Sequence, residues 1–120
     1  MPARIVIVHD EPEFAEATLA ALRGAGYDAI AIMDSMTGIV ALAHAKHIEL
    51  LITPVRFPSG TPNGAALARM ARLKRPDIKV LFASFPEVQV YTEGLGEFLP
   101  RPLSTDELLE TVGRMLDRHD

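Results

Sequence analysis

Three consecutive residues, His9, Asp10 and Glu11, follow the apolar run at 5–8 and bring an imidazole and two carboxylates to one place in the chain. Imidazole accepts phosphate or binds metal, with an unperturbed pKa of about 6.5, and carboxylates are the hard oxygen donors that Mg2+ takes. The neighbouring acids favour the charged form of His9; the common role of a lone histidine at a strand end is a hydrogen-bonded structural one. Ser84 adds a hydroxyl and Arg101, immediately before Pro102, adds a guanidinium, so together they have the chemistry to grip a small anion. Between these groups lies the stretch 49–64, ELLITPVRFPSGTPNG. Its Pro54 carries no side-chain atom able to attack an electrophile. Thr53, one residue earlier, points to the opposite side by strand alternation and reads as a structural β-branched residue. The chain has no cysteine, which excludes disulfides, a thiolate nucleophile and cysteine-ligated metal.

The elements that must position these groups are legible in the hydrophobic pattern. Residues 4–8 form a first strand, and Pro12 suits the first turn of a helix over 13–23. Phe14, Ala17, Ala21 and Leu22 give that helix one face, and Gly24 and Gly26 punctuate its end. A second strand over 28–32 leads to cap candidates Asp34 and Ser35, then to a helix with Met36, Ile39, Val40 and Ala43 on its inner face, ending near Lys46. The third strand, 49–53, has the continuous apolar run of a strand buried on both faces, and Pro54 ends it. The chain crosses the top of the fold and restarts as a helix near Asn63, with Leu67, Met70 and Ala71 inward and a stop at Arg75, Pro76 and Asp77. A fourth strand spans 78–84, at most two helical turns span 87–93, and a fifth strand spans 97–99. Ser104 with Glu107 has capping-box spacing, and Leu108, Val112, Met115 and Leu116 recur helically towards the chain end.

Five strand-and-helix alternations in 120 residues predict one α/β domain over 1–120, a doubly wound parallel sheet with helices on both faces. The carboxyl ends of strands one, three, four and five then gather His9, Asp10, Pro54, Ser84 and Arg101 at the switch point, where such sheets bind ligands. A net charge of −4 gives no general attraction to nucleic acid, and Arg69, Arg72, Lys74 and Arg75 read as a solvated helix face. The apolar run near the N-terminus is too short to span a membrane. Absence of cysteine fits a cytoplasmic location.

The segments IVIVHDEPE, LLITPVRFP followed by NG, VLFASF and GEFLPRPL, in this order and spacing, resemble a response-regulator receiver domain of two-component signalling. The resemblance covers almost the whole chain and implies a flavodoxin-like, five-stranded parallel sheet of order 2-1-3-4-5 in three α/β/α layers, here with a short fourth helix. In that family two acids after the first strand and an aspartate after the third hold Mg2+, and that aspartate accepts a phosphoryl group from a kinase. A hydroxyl residue after the fourth strand and a lysine before a proline after the fifth contact the phosphoryl oxygens.

This sequence departs from that pattern at most of the positions that do chemistry. His9 stands in place of the first acid, Asp10 keeps the second, and Glu11 follows; Pro54 occupies the phosphoacceptor position. Ser84 matches the hydroxyl residue, Phe85 replaces a small neighbour, Arg101 replaces the lysine ahead of Pro102, and Phe98 fits the aromatic switch position. The loop 58–64 is about two residues longer than usual for the family. The expectations are therefore lost or weak Mg2+ binding, no other cofactor, Arg101 reaching towards Asp10, and a cis bond before Pro102. The resemblance implies a degenerate receiver, not an enzyme, that signals by docking onto a histidine kinase, a phosphotransfer protein, another regulator or a second copy of itself. It implies no nucleic-acid or membrane partner. The alternatives are phosphoryl transfer to His9 or Asp10 and binding of a small anion in the altered pocket.

Overall fold

The structure is a computed structural model and describes residues 4–45 and 47–116. Its elements, in chain order, are β1 (Arg4–Val8), α1 (Pro12–Gly24), β2 (Asp28–Ile32), α2 (Ser35–His44), β3 (Leu50–Thr53), α3 (Gly64–Lys74), β4 (Lys79–Ser84), a short 3-10 helix (Pro86–Thr92), β5 (Glu97–Pro100) and α4 (Thr105–Leu116). All neighbouring strands pair in parallel, in the order β2-β1-β3-β4-β5.

Strand alternation sorts the core into two layers. Val6 and Val8 of β1, Leu51 of β3, and Val80 and Phe82 of β4 face one way and pack with Leu42 of α2, Leu67 and Ala71 of α3, and Val88 of the 3-10 helix. Ile5, Ile7, Leu50, Ile52, Leu81 and Ala83 face the other way and meet Leu22 of α1 and Leu108 and Val112 of α4. β1 and β3 are thus apolar on both faces, as a sheet covered by helices on both sides requires. The expected order 2-1-3-4-5, the three layers and the short fourth helical segment are all present.

Local chemistry accounts for the helix starts. Asp34 accepts from the Thr37 N–H at 2.8 Å, and Asn63 accepts from the Ala66 N–H at 2.8 Å, each satisfying an orphan donor of a first turn. Before α4, Ser104 Oγ accepts from the Glu107 N–H at 3.0 Å while the Glu107 carboxylate accepts from the Ser104 N–H at 2.8 Å, the expected reciprocal box.

The inner faces of the first three helices differ from expectation at Ala17, Met36, Val40 and Met70, while Phe14, Leu22, Ile39, Leu67 and Ala71 pack inward as expected. On α2, Met36 and Val40 are exposed, and Ser35, Gly38 and Leu42 face inward. A Cβ at Gly38 would lie 2.9 Å from Val8 Cγ1, so the helix is pressed onto β1 through its smallest residues and its bulkier ones are turned away. On α1 the buried residues are Ala15, Thr18 and Leu22, with Ala17 exposed; on α3, Met70 is exposed while Ala65, Leu67, Ala68 and Ala71 are buried. On α2 and α3 small residues at helical spacing take the inner face in place of a longer apolar side chain. The predicted helix end near Lys46 and the continuation of the last helix past residue 116 lie outside the described residues.

Candidate functional site

The carboxyl ends of β1, β3, β4 and β5 border a pocket of about 440 Å³, with Asp10, Pro54, Ser84, Phe85 and Arg101 among its lining residues. The sheet order makes this convergence: β1, β3 and β4 are neighbours, and the segment after β5 returns beside β4 through the Arg101 N–H, which donates to the Ser84 carbonyl at 2.8 Å.

His9 follows β1 directly, and its side chain is fully buried. Its Nδ1 accepts from the Glu11 N–H at 3.1 Å, which requires a neutral imidazole with the proton on Nε2. Nε2 is buried with no protein partner, and the ring packs against Phe14 with centroids 4.5 Å apart. Burial first, and the Arg101 charge second, push the His9 pKa down to about 4. The adjacent acids oppose this and are outweighed, so the expected imidazolium is corrected to a neutral ring: sequence adjacency counted the charges, and removal from water decided the outcome.

Arg101 is paired with Glu11, not with Asp10. Its two terminal nitrogens donate to the two Glu11 carboxylate oxygens at 2.9 and 3.3 Å, a bidentate fork. The guanidinium carbon also lies 4.4 Å from the Phe14 ring centroid and 5.0 Å from that of Phe85. Glu11 and Phe14 are three residues apart, at and just after the start of α1, so they present one face to a planar cation. A guanidinium resting on Phe14 therefore meets Glu11, and its side chain is left only 16% exposed. The Arg101 hydrogen bonds hold the Glu11 carboxyl below the usual glutamate range. The Arg101–Pro102 peptide is cis, as expected. Phe14 is the residue that sequence reasoning placed only in the core; its spacing from Glu11 was the available signal.

Pro54 sits buried at the exit of β3, and its carbonyl accepts from Thr53 Oγ1 at 3.0 Å. The loop returns over it at Gly64, where a Cβ would stand 1.9 Å from the Pro54 oxygen, and the Gly64 N–H donates to the Val55 carbonyl at 2.8 Å. Only glycine permits that approach. Ser84 Oγ, also buried, is 3.4 Å from the Val55 N–H, a long hydrogen bond tying β4 to the same loop. Phe98 is half-buried in the core layer under α2 and α3, outside the residues lining the pocket, and Pro102 is exposed. Two residues of the basic cluster do more than solvate a surface: Arg72 Nε donates to the Ile78 carbonyl at 3.1 Å, and Arg75, just after α3, donates to the Ala45 carbonyl.

The pocket's charges are more numerous than Asp10 against Arg101, since Glu11, Glu87 and Arg56 also border it. Its donor set does not fit Mg2+. Pro54 offers no side-chain oxygen, Glu11 is engaged by Arg101, and no three acidic or histidine side chains among the described residues are gathered as a ligand group.

No protein-family model matches the sequence. Among solved structures, a CheY-like response-regulator receiver domain protein from Methanospirillum hungatei superposes with a TM-score of 0.87 at 22% identity, over 98% of this chain and 95% of that one. The chain has the receiver fold. The receiver domain of the hybrid histidine kinase CckA is 28% identical, with a TM-score of 0.81 over 96% of this chain and 100% of the other. The sensor kinase CckA of Brucella abortus is likewise 28% identical over 127 residues. That match takes in 98% of this chain and spans only 13% of the kinase. Receiver similarity therefore runs through the whole chain, including the segments that carry His9, Pro54, Ser84 and Arg101.

Proposed function

We propose that this chain is a receiver-type module of two-component, phosphorelay signalling that works by protein–protein interaction without aspartyl phosphorylation or bound Mg2+. The observation that carries the reading is Pro54 at the exit of β3 beside an Arg101 guanidinium already clamped by Glu11. A phosphoryl transfer needs a nucleophilic oxygen or nitrogen at the acceptor position, and proline has none. A catalysed transfer also needs cationic groups free to neutralise the moving phosphoryl oxygens, and Arg101 is committed to a carboxylate. The reading makes the chain a signalling module, not an enzyme, and places it in the cytoplasm with a histidine kinase, a phosphotransfer protein, another regulator or a second copy as partner. No helix among the described residues is long and apolar enough to cross a membrane.

The alternative acceptor at His9 has little geometric support, because the ring is buried and its Nδ1 lone pair already receives the Glu11 N–H. The test is incubation of the intact chain with acetyl phosphate and Mg2+, followed by intact mass. The expected result is no phosphoryl adduct. An adduct that persists in a Pro54 variant and disappears in His9→Gln or Asp10→Asn would overturn the proposal in favour of a displaced acceptor.

A further inference from the structure

A second cleft, of about 510 Å³, shares Arg56, Phe57 and Pro58 with the altered pocket. Its apolar surface comes from Val55, Phe57, Pro58 and Tyr91, and Arg56 and Arg69 stand along it. Both arginines are exposed, and neither forms an ion pair among the described residues. No acidic residue lines this cleft, although the chain as a whole carries a net charge of −4. Two unpaired guanidinium groups over an apolar surface, in an otherwise acidic protein, are complementary to carboxylates flanking an apolar side chain.

We propose that this cleft docks an acidic, linear peptide segment of a protein partner, its carboxylates on Arg56 and Arg69 and an apolar or aromatic side chain between Phe57 and Tyr91. The inference rests on the reading of the chain as a docking module and names the chemistry of what docks. A peptide suits the site better than a small molecule. Small-molecule pockets enclose most of their ligand around fixed polar groups, whereas here both arginines lie in solvent and Tyr91 is 59% exposed. Tyrosine and arginine are the side chains that most often dominate interface energies. The wall is well supported for the task, because Gly64 and Asn63 fix the loop's return and Thr61 Oγ1 donates to the Pro58 carbonyl at 2.6 Å.

The experiment titrates the intact chain into a fluorescein-labelled octapeptide with glutamates flanking a central phenylalanine, read by anisotropy, with its glutamine counterpart as control. The expected result is saturable binding of the glutamate peptide, weakened about tenfold or more by Arg56→Glu or Arg69→Glu and weakened also by Tyr91→Ala. Circular dichroism of each variant confirms folding, which exposed positions preserve. Amide shifts on peptide addition should cluster at Thr61, Ala65 and Arg69. No binding, equal binding of the glutamine peptide, or unchanged affinity in the charge-reversed variants would each overturn the proposal. Inorganic phosphate or a mononucleotide shifting the same amides with no peptide response would replace it with a small-anion site. Arg101→Ala is expected to leave peptide affinity unchanged. A chain that accepts phosphate in the mass assay and still binds the peptide would sink the phosphorylation-independent reading while leaving this one standing.

Discussion

Acidification should destabilise this protein through His9 at a pH where its carboxylates are still largely ionised. In the unfolded chain His9 takes up a proton at about 6.5; in the fold it resists protonation until about 4. Between those values the unfolded state holds the extra proton, so stability falls as pH falls. The contribution is fully present above pH 6.5 and is lost progressively down to about pH 4. The separation of the two values corresponds to roughly 3 kcal/mol in total, most of which is lost by pH 4.5. The side chain is fully buried, so solvent screening takes little from this contribution.

The assay is urea unfolding at several pH values between 7.5 and 4.5 for the native chain and for His9→Gln, which keeps an acceptor for the Glu11 N–H and cannot titrate. Glu11 and Asp34, both held below their ordinary carboxylate range, lose their contributions at lower pH in both proteins and so largely cancel in the difference. The native chain should lose about 2–3 kcal/mol more than the variant between pH 7.5 and 4.5. Its His9 ring protons should stay fixed in NMR spectra down to about pH 5. Parallel stability curves, or a His9 resonance titrating near 6.5, would refute the claim that burial and Arg101 hold this ring neutral.

Removing Arg101 tests the same cluster from the other side. Arg101→Ala should cost about 1–2 kcal/mol in urea unfolding, from one bidentate pair and two ring contacts, and should move the His9 titration upward by removing a cation that depresses it. Arg101→Lys keeps the charge and loses the fork, so it should recover the His9 titration better than the stability. Gly64→Ala should destabilise by about 3 kcal/mol, the upper end of ordinary overpacking, because the new Cβ meets the Pro54 carbonyl, part of the backbone that cannot rotate aside.

Much of the fold was legible because its signals are local. β1, β2 and the capping box at Ser104 and Glu107 are written in runs and spacings of a few residues, and five alternations leave little freedom in how a sheet is covered. The inward faces of α1, α2 and α3 were less legible. Hydrophobicity favours Met36 and Val40 as core residues, but Gly38 against Val8 sets how near α2 lies to the sheet, and that distance is a property of two elements together. The same limit applies in the pocket. The gathering of Asp10, Pro54, Ser84 and Arg101 around it followed from topology, whereas His9 is buried behind its lining and the choice of Glu11 over Asp10 depended on Phe14 supplying a platform beside it.

That choice of partner bears on how the module would respond to its surroundings. A cation held in a pocket by one carboxylate alone is released when that carboxylate is protonated or captured. Arg101 is held by Glu11 and also lies against Phe14 and Phe85, so loss of the Glu11 charge leaves the ring contacts in place. Glu11→Gln should therefore keep the guanidinium near the rings. Arg101 would then still oppose His9 protonation, while loss of the Glu11 charge, which raises the His9 pKa, would push the titration lower. A histidine titration that instead rises in Glu11→Gln would mean that the carboxylate alone positions the arginine and that the aromatic pair contributes little. Measured beside Phe14→Leu and Phe85→Leu, that single shift separates a clamp made of charge from one made of charge and rings.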